Sequence, residues 1–236
     1  MNVSAQKNAR KNNEQVDELA ILYSLRNCPY AMRARMAIYK AQYPVFLRDL
    51  VLSNKPAEMI AASPKGTVPV IVLANGEVIE ESLDVMLWAL KENDPQDLMH
   101  SSATDEVNTA KEMLALINHF DVGFKSSLEQ YKCAKRYKEA NIVECREACL
   151  SFIDDLEQRL VKHDFLMSNN ESLVDIALMP FIRQFAKVER QWYLQSPYPK
   201  LQAWLNHYLQ STMFSKVMSK HPLWLDSKQQ VIFPQL

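Results

Sequence analysis

The pattern of the chain changes at Asn93-Asp94-Pro95, and this change restricts the folds that the sequence can adopt. Before it, short apolar runs typical of buried strands alternate with helix-compatible segments. After it, apolar residues recur at helical spacing, and no further strand is predicted. A chain of 236 residues is long enough for two domains. The sequence therefore predicts an α/β domain, a linker and then an all-helical domain.

Seven segments define the predicted α/β domain. Strands are expected over residues 19–25, 45–50, 69–73 and 77–80, and helices over residues 29–41, 56–62 and 82–91. Asn75-Gly76 separates the last two strands and is a strong signal for a hairpin turn. The order of segments predicts a β-α-β unit followed by an α-β-β-α ending, with Ser82 as the N-cap of the last helix.

We divide the chain into four regions. Residues 1–17 are polar and lack the apolar core of a signal peptide, so we expect a mobile extension. Residues 18–92 form the predicted α/β domain, 93–100 the linker and 101–236 the all-helical domain. In the last region Ser172 and Asp175 have the spacing of a capping box, which predicts the start of a helix.

Composition and charge exclude several classes of function. The formal net charge of −1 argues against nucleic acid or an anionic membrane as the main partner, because both usually require a basic surface. No apolar stretch is long enough to span a bilayer. The four cysteines show neither disulfide density nor paired metal-ligand spacing. We therefore predict a cytoplasmic protein with no metal site.

Cys28 lies where the first strand gives way to the first helix, and Pro29 fits the first helical position. The first turn of a helix presents unpaired N–H groups and a partial positive charge, and both stabilise a thiolate. From this position alone, Cys28 is either a reactive thiol or a small buried residue. Free cysteines are usually buried.

The order of motifs resembles that of the cytosolic glutathione S-transferases. Cys28-Pro29-Tyr30-Ala31 with Arg33 resembles the active-site turn of the cysteine-type, omega-like branch, which is related to that of glutaredoxins. Four further segments resemble family motifs in the same order: Ser53-Asn54-Lys55-Pro56, the run from Ser63 to Val70, Glu80-Glu81-Ser82-Leu83 and the capping box at Ser172. The resemblance implies a thioredoxin-like α/β domain, an all-α C-terminal domain, glutathione as co-substrate and a homodimer.

The resemblance also implies roles for residues around Cys28. Ser82 is expected to hold the γ-glutamyl carboxylate of glutathione at a helix N-terminus, which also suits a plain capping role. Glu81 is expected to pair with the ammonium group and Lys55 with the glycyl carboxylate. Without the resemblance, a solvated surface acid is the favoured interpretation of Glu81, and one more surface lysine is the alternative for Lys55. Val68, before a cis Pro69, is expected to pair with the cysteinyl backbone.

Tyr30 and Arg33 are expected to support the thiolate or a carboxylate, and an internal salt bridge is the alternative for Arg33. Other branches of the family use a Tyr or Ser near the end of the first strand, which makes Tyr23 and Ser24 competitors of Cys28. We favour Cys28, because its turn is the more specific match, and we expect Tyr23 to pack in the core.

Ala31 stands where a dithiol site would have its second cysteine, so Cys28 is predicted to act alone. A second glutathione would then resolve the mixed disulfide formed on Cys28. The substrates implied are small disulfides, dehydroascorbate or glutathionyl conjugates. The alternative is a non-catalytic relative, such as the stringent-starvation-type proteins that contact RNA polymerase, since the fold alone does not decide function.

The second substrate is expected to be a small electrophile or disulfide. Candidates for its pocket are aromatic side chains of the helical region, which also suit a hydrophobic core. They are Phe120, Phe124, Phe181 and Trp192.

Overall fold

The computed structural model of the protein describes residues 19–102 and 106–235. The predicted mobile extension over residues 1–17 lies outside this part of the chain. Two compact units are present. The first runs up to Asn93 and also includes the residues from Lys216 onward, and the second covers Asp94–Ser215. We call them the α/β unit and the helical unit. No helix within the described residues is long and apolar enough to cross a membrane.

The elements follow one another along the chain largely as the sequence patterns predict. They are β1 (Ile21–Ser24), α1 (Pro29–Lys40), β2 (Val45–Asp49), α2 (Ala57–Ala62), β3 (Val70–Val72), β4 (Val78–Ile79), α3 (Ser82–Glu92), α4 (Glu106–His119), a π-helical turn (Phe120–Phe124), α5 (Lys125–Tyr137), α6 (Ile142–Lys162), α7 (Leu173–Val188), α8 (Arg190–Gln195), α9 (Pro199–Leu209), α10 (Thr212–Val217), α11 (Trp224–Ser227) and β5 (Val231–Phe233).

The α/β unit is built on a five-stranded mixed sheet of order β4-β3-β1-β2-β5. β1 runs parallel to β2 and antiparallel to β3, with Leu22 opposite Leu47 on one side and opposite Ile71 on the other. These three side chains are buried, as expected for the central strands of a sheet. The β3–β4 hairpin contains the predicted Asn-Gly turn, in which Gly76 has a φ of 86°. The predicted thioredoxin-like fold with a helical second region is confirmed.

The end of the chain corrects the prediction that residues 101–236 are all-helical. β5 adds an antiparallel strand to the edge of β2, with Val231 opposite Leu47. Its Val231 and Phe233 are buried and Ile232 is exposed, so the alternation of a half-buried strand is present. Three residues are too few for this alternation to be recognised in the sequence.

Two side chains of the α/β unit hold this returning segment. Arg35 donates from Nε to the carbonyl of Val217, at 3.1 Å. Glu58 accepts a 2.5 Å hydrogen bond from Trp224 Nε1. These contacts explain why the residues after Lys216 belong to the α/β unit although they come last in the sequence.

The helical unit is organised around α7, whose residues are buried over most of its length. The predicted capping box is confirmed at its start, where Ser172 and Asp175 bond reciprocally. Asp175 is buried, and it also accepts hydrogen bonds from Leu166 N and Trp204 Nε1, both at 3.0 Å. Burial raises the pKa of Asp175 while these donors oppose the shift.

The π-helical turn was not predicted, and it contains one of the three glycines of the chain. A Cβ atom on Gly123 would lie 2.5 Å from the ring of Phe152, well inside contact distance. That ring packs against Phe120 and Phe124, with centroid separations of 5.4 and 5.7 Å. The close approach of α6 therefore requires glycine at this position.

Candidate active site

Cys28 is the N-cap residue of α1, with Pro29 in the first helical position, as predicted. Its amide donates to the carbonyl of Leu25 at 3.1 Å, and its own carbonyl accepts the first helical bond from Met32. The side chain is part-exposed, and Sγ lies 3.9 Å from the carbonyl oxygen of Val68, to which the thiol donates. The thiol therefore lies at a helix N-terminus within reach of solvent, the environment that favours reaction.

Arg35 holds the turn that precedes Cys28. Its side chain is 2 % exposed, and its guanidinium donates to Ser24 Oγ and, at 2.6 Å, to the carbonyl of Arg26. Burial lowers the pKa of Arg35 to about 10, whereas the negative charge of Asp49 opposes this shift. A buried cation therefore fixes the loop and adds positive potential near the thiol. Sequence analysis singled out Arg33 but not Arg35, although two arginines among the small and apolar residues of α1 are a usable signal.

The turn into β3 faces Cys28. The Val68–Pro69 peptide bond is cis, as expected, and Val68 is buried. Gly66, before it, has a φ of 63°, in the left-handed region. A Cβ atom on Gly66 would lie 3.1 Å from Lys55 Nζ, so Lys55 rests against this turn. The structure thus brings Lys55 and Val68 to the same loop as the cis proline.

Ser82 is the first residue of α3, and Glu81 is the N-cap residue. The predicted N-cap is therefore wrong by one position. Ser82 Oγ is buried and accepts a 2.9 Å hydrogen bond from Arg33 Nε. The N–H groups of the first turn have no partner within the helix, and they add to the positive potential of the guanidinium. Arg33 and the start of α3 together form a site suited to an anion.

Tyr30 and Glu81 lie at the exposed side of this region. Tyr30 is 38 % exposed, and the guanidinium carbon of Arg33 lies 5.7 Å from its ring centroid. Glu81 forms an ion pair with Lys65, which raises the pKa of Lys65 through the hydrogen bond between them. Sequence analysis did not identify Lys65, because two exposed charges sixteen positions apart give no pattern.

Tyr23 and Ser24, the competitors of Cys28, are both engaged elsewhere. Tyr23 is buried in an apolar cluster that includes Ala31 and Val68, and its hydroxyl accepts a 2.7 Å hydrogen bond from Arg48. Burial raises the pKa of Tyr23. The hydroxyl of Ser24 accepts a hydrogen bond from the guanidinium of Arg35.

The four aromatic side chains expected to line an electrophile pocket lie among packed side chains of the helical unit. Phe120, Phe124 and Phe181 are buried. Trp192 packs edge-on against Phe185, at 6.0 Å between ring centroids. Phe124 contacts the same Phe185 ring. These residues contribute to the core of the unit, and a role in binding the second substrate stays a prediction.

A thioredoxin-like sheet, an N-cap cysteine and a facing cis proline define a thiol-bearing protein of the thioredoxin-like class. Two protein-family models identify the family within this class. The model of the glutathione S-transferase N-terminal domain matches residues 22–97, and that of the glutathione S-transferase C-terminal domain matches residues 119–207. The chain belongs to the glutathione S-transferase family.

Individual relatives agree with this assignment. Mouse glutathione S-transferase omega-1 is 25% identical over 185 residues, which are 78% of this chain and 74% of that protein. A probable glutathione transferase of Aplysia californica is 43% identical over 58 residues, 25% of this chain and 62% of that protein.

Solved structures share the fold. A family member from Pseudomonas fluorescens with two glutathione molecules bound has a TM-score of 0.74 at 15% identity, over 86% of this chain and 94% of its own. Glutathione S-transferase-I bound with lactoylglutathione has a TM-score of 0.71 at 18% identity, over 85% and 98% of the two chains.

Proposed function

We propose that the protein is a glutathione-dependent thiol reductase in which Cys28 is the nucleophile. The observation that carries this proposal is the part-exposed Cys28 thiol at the N-terminus of α1. Ala31, in the position of a second dithiol cysteine, is fully buried. Similarity to an omega-class transferase supports the cysteine-type assignment. The solved relatives that bind glutathione or lactoylglutathione support glutathione as the co-substrate.

Glutathione is proposed to bind along the groups that surround Cys28. The γ-glutamyl carboxylate would sit at the N-terminus of α3, on Ser82 and its neighbouring N–H groups, with Arg33 behind it. The backbone of Val68 would pair with the cysteinyl residue in the manner of an added strand. Lys55, beside Gly66, would form an ion pair with the glycyl carboxylate of glutathione. The ammonium group of glutathione would pair with Glu81, which already forms an ion pair with Lys65.

The proposed cycle has two thiol–disulfide exchanges. The Cys28 thiolate attacks the glutathionyl sulfur of a mixed disulfide, so that a sulfur–sulfur bond to Cys28 forms and the substrate leaves as a thiolate. The thiolate of a second glutathione then attacks the glutathionyl sulfur on Cys28. Oxidised glutathione leaves and the Cys28 thiolate is restored. Glutathione supplies both electrons, and no second protein cysteine takes part.

The test is to trap the intermediate. Protein treated with oxidised glutathione should gain one glutathionyl group on Cys28, as seen by intact-protein mass spectrometry and peptide mapping, and reduced glutathione should remove it. The same protein should reduce a small mixed disulfide faster than it conjugates an aryl halide, since a cysteine thiolate does not stabilise the anion of glutathione. Modification of only Cys133, Cys145 or Cys149, or conjugation that outpaces reduction, would contradict the proposal.

Ser82→Ala is expected to raise the KM for glutathione about tenfold, because a hydrogen bond to a charged ligand group is lost. The turnover number should change little, since Ser82 is not placed at the reacting sulfur. Ser101→Ala, which alters an exposed serine of the helical unit, is the matched control and should keep the wild-type KM. An unchanged KM in Ser82→Ala would contradict the proposal that the γ-glutamyl carboxylate binds at the start of α3.

A further inference from the structure

An ion pair joins two parts of the proposed glutathione site. Lys65 lies in the turn that leads to the cis Val68–Pro69 bond, and Glu81 is the N-cap residue of α3. Lys65 Nζ contacts Oε1 of Glu81. The carboxylate that is proposed to bind the ammonium group of glutathione therefore already has a cationic partner within the protein.

The backbone beneath Lys65 is held in a closed turn. The amide of Gly66 donates to the carbonyl of Ser63 at 3.0 Å, and the amide of Ser63 donates to the carbonyl of Met59 at 2.8 Å. Ser63 is buried, whereas the side chain of Lys65 is 48 % exposed and that of Glu81 is 64 % exposed. The turn thus brings Lys65 to Glu81 from a fixed base, but a charged ligand can break an ion pair that is this exposed.

Lys65 is a cation at neutral pH. Its hydrogen bond with Glu81 raises its pKa, and the charges of Glu81 and Glu80 act in the same direction. A ligand ammonium that approaches Glu81 is therefore repelled by Lys65 or has to displace it. The neighbouring carboxylate site depends on Arg33 and Ser82, whose 2.9 Å hydrogen bond involves neither member of the ion pair.

We propose that Lys65 is a specificity-determining residue, which lowers the preference of the site for ligands that carry the free ammonium group of glutathione. The inference rests on the proposed function, because it requires glutathione to bind beside Glu81. Binding of the ammonium group replaces an ion pair that the free protein already makes, so the net gain in affinity is small. Deamino analogues of glutathione, which keep the γ-glutamyl carboxylate and the thiol, are therefore a further class of ligand and co-substrate for this site.

The test is isothermal titration calorimetry of the full-length protein with two ligands, both kept reduced. They are glutathione and glutaryl-cysteinylglycine, which lacks only the amino group. The ratio of the two dissociation constants measures the preference for the ammonium group. Lys65→Met should raise this preference about threefold at the same ionic strength, because Glu81 then has no lysine to exchange for the ligand. Lys91→Met removes an exposed lysine at the other end of α3 and is the matched control, with the preference expected to stay at the wild-type value.

Glu81→Gln tests whether Lys65 acts through this carboxylate. Lys65→Met should no longer change the preference when Glu81 is already glutamine, as a double-mutant cycle requires of two residues that interact. With all variants folded by circular dichroism, the proposal is overturned if Lys65→Met leaves the preference unchanged or lowers it. It is also overturned if the effect of Lys65→Met persists in the Glu81→Gln protein. Absence of glutathione binding to the wild type would contradict the proposed function as well, whereas glutathione binding without an effect of Lys65 would contradict this inference alone.

Discussion

Cys28→Ser is expected to lower the rate of glutathione-dependent disulfide reduction by about 1,000-fold or more, since a serine hydroxyl cannot carry the mixed disulfide. The substitution changes one atom, and the hydrogen bonds that hold this residue in place run through its backbone to Leu25 and Met32. The fold should therefore be retained, and the loss should appear in the turnover number. Steady-state reduction of a small glutathionyl disulfide, coupled to glutathione reductase and NADPH, measures it.

Cys145→Ser is the matched control. Cys145 is also a part-exposed free thiol, but it lies on α6 in the helical unit, where it is not at the helix N-cap. Its substitution should leave disulfide reduction within about twofold of the wild type, as surface changes away from special features usually do. Full reductase activity in Cys28→Ser would refute the thiol mechanism. If the wild type and Cys28→Ser both bind glutathione and neither reduces the disulfide, the non-catalytic alternative is favoured instead.

The parts of the fold that sequence analysis predicted correctly are those with strong local signals. The Asn75-Gly76 turn admits few conformations and fixes the β3–β4 hairpin. Pro29 marks the start of α1, and the Ser172 capping box marks the start of α7. In each case the chemistry of a few adjacent residues determines the local structure. That structure can therefore be predicted without knowledge of distant contacts.

The parts that sequence analysis missed depend on partners far away in the chain. β5 is recognisable only through its pairing with β2, in which Leu47 lies opposite Val231, far away in the sequence. Arg35 bonds to the carbonyl of Val217 across 182 positions. The ion pair between Glu81 and Lys65 gives Glu81 a partner that no local motif predicts. Such contacts are set by tertiary packing, so a local sequence pattern does not predict them.

The position of Ser82 illustrates a smaller kind of error. Serine is a favoured N-cap residue, which predicts that it caps α3, but the helix begins at Ser82 itself and Glu81 is the N-cap. The reason is in the packing: Ser82 is buried and its hydroxyl accepts from Arg33 of α1. A side chain committed to another helix is not available for capping. The one-position shift leaves the hydroxyl at the N-terminus of α3, so the proposed anion site is retained.

Asp175→Ala is expected to lower the free energy of unfolding by about 3–5 kcal/mol, which is a large effect for a single substitution. The carboxylate accepts from the backbone amides of Leu166 and Ser172 and from the indole of Trp204. Alanine leaves all three donors buried without an acceptor, and each such loss costs about 1–3 kcal/mol. The shift of the urea-unfolding midpoint, followed by circular dichroism, measures the effect.

Asp155→Ala is the matched control, because it also removes a carboxylate from a helix of the same unit. Asp155 forms an exposed ion pair with Arg159 one turn further along α6, at 2.9 Å. Exposed pairs of this kind contribute little, so the free energy of unfolding should change by less than about 1 kcal/mol. The difference between the two aspartates follows from burial and from the donors that depend on each carboxylate. Equal stability losses in the two variants would show that Asp175 does not anchor α7 through these hydrogen bonds.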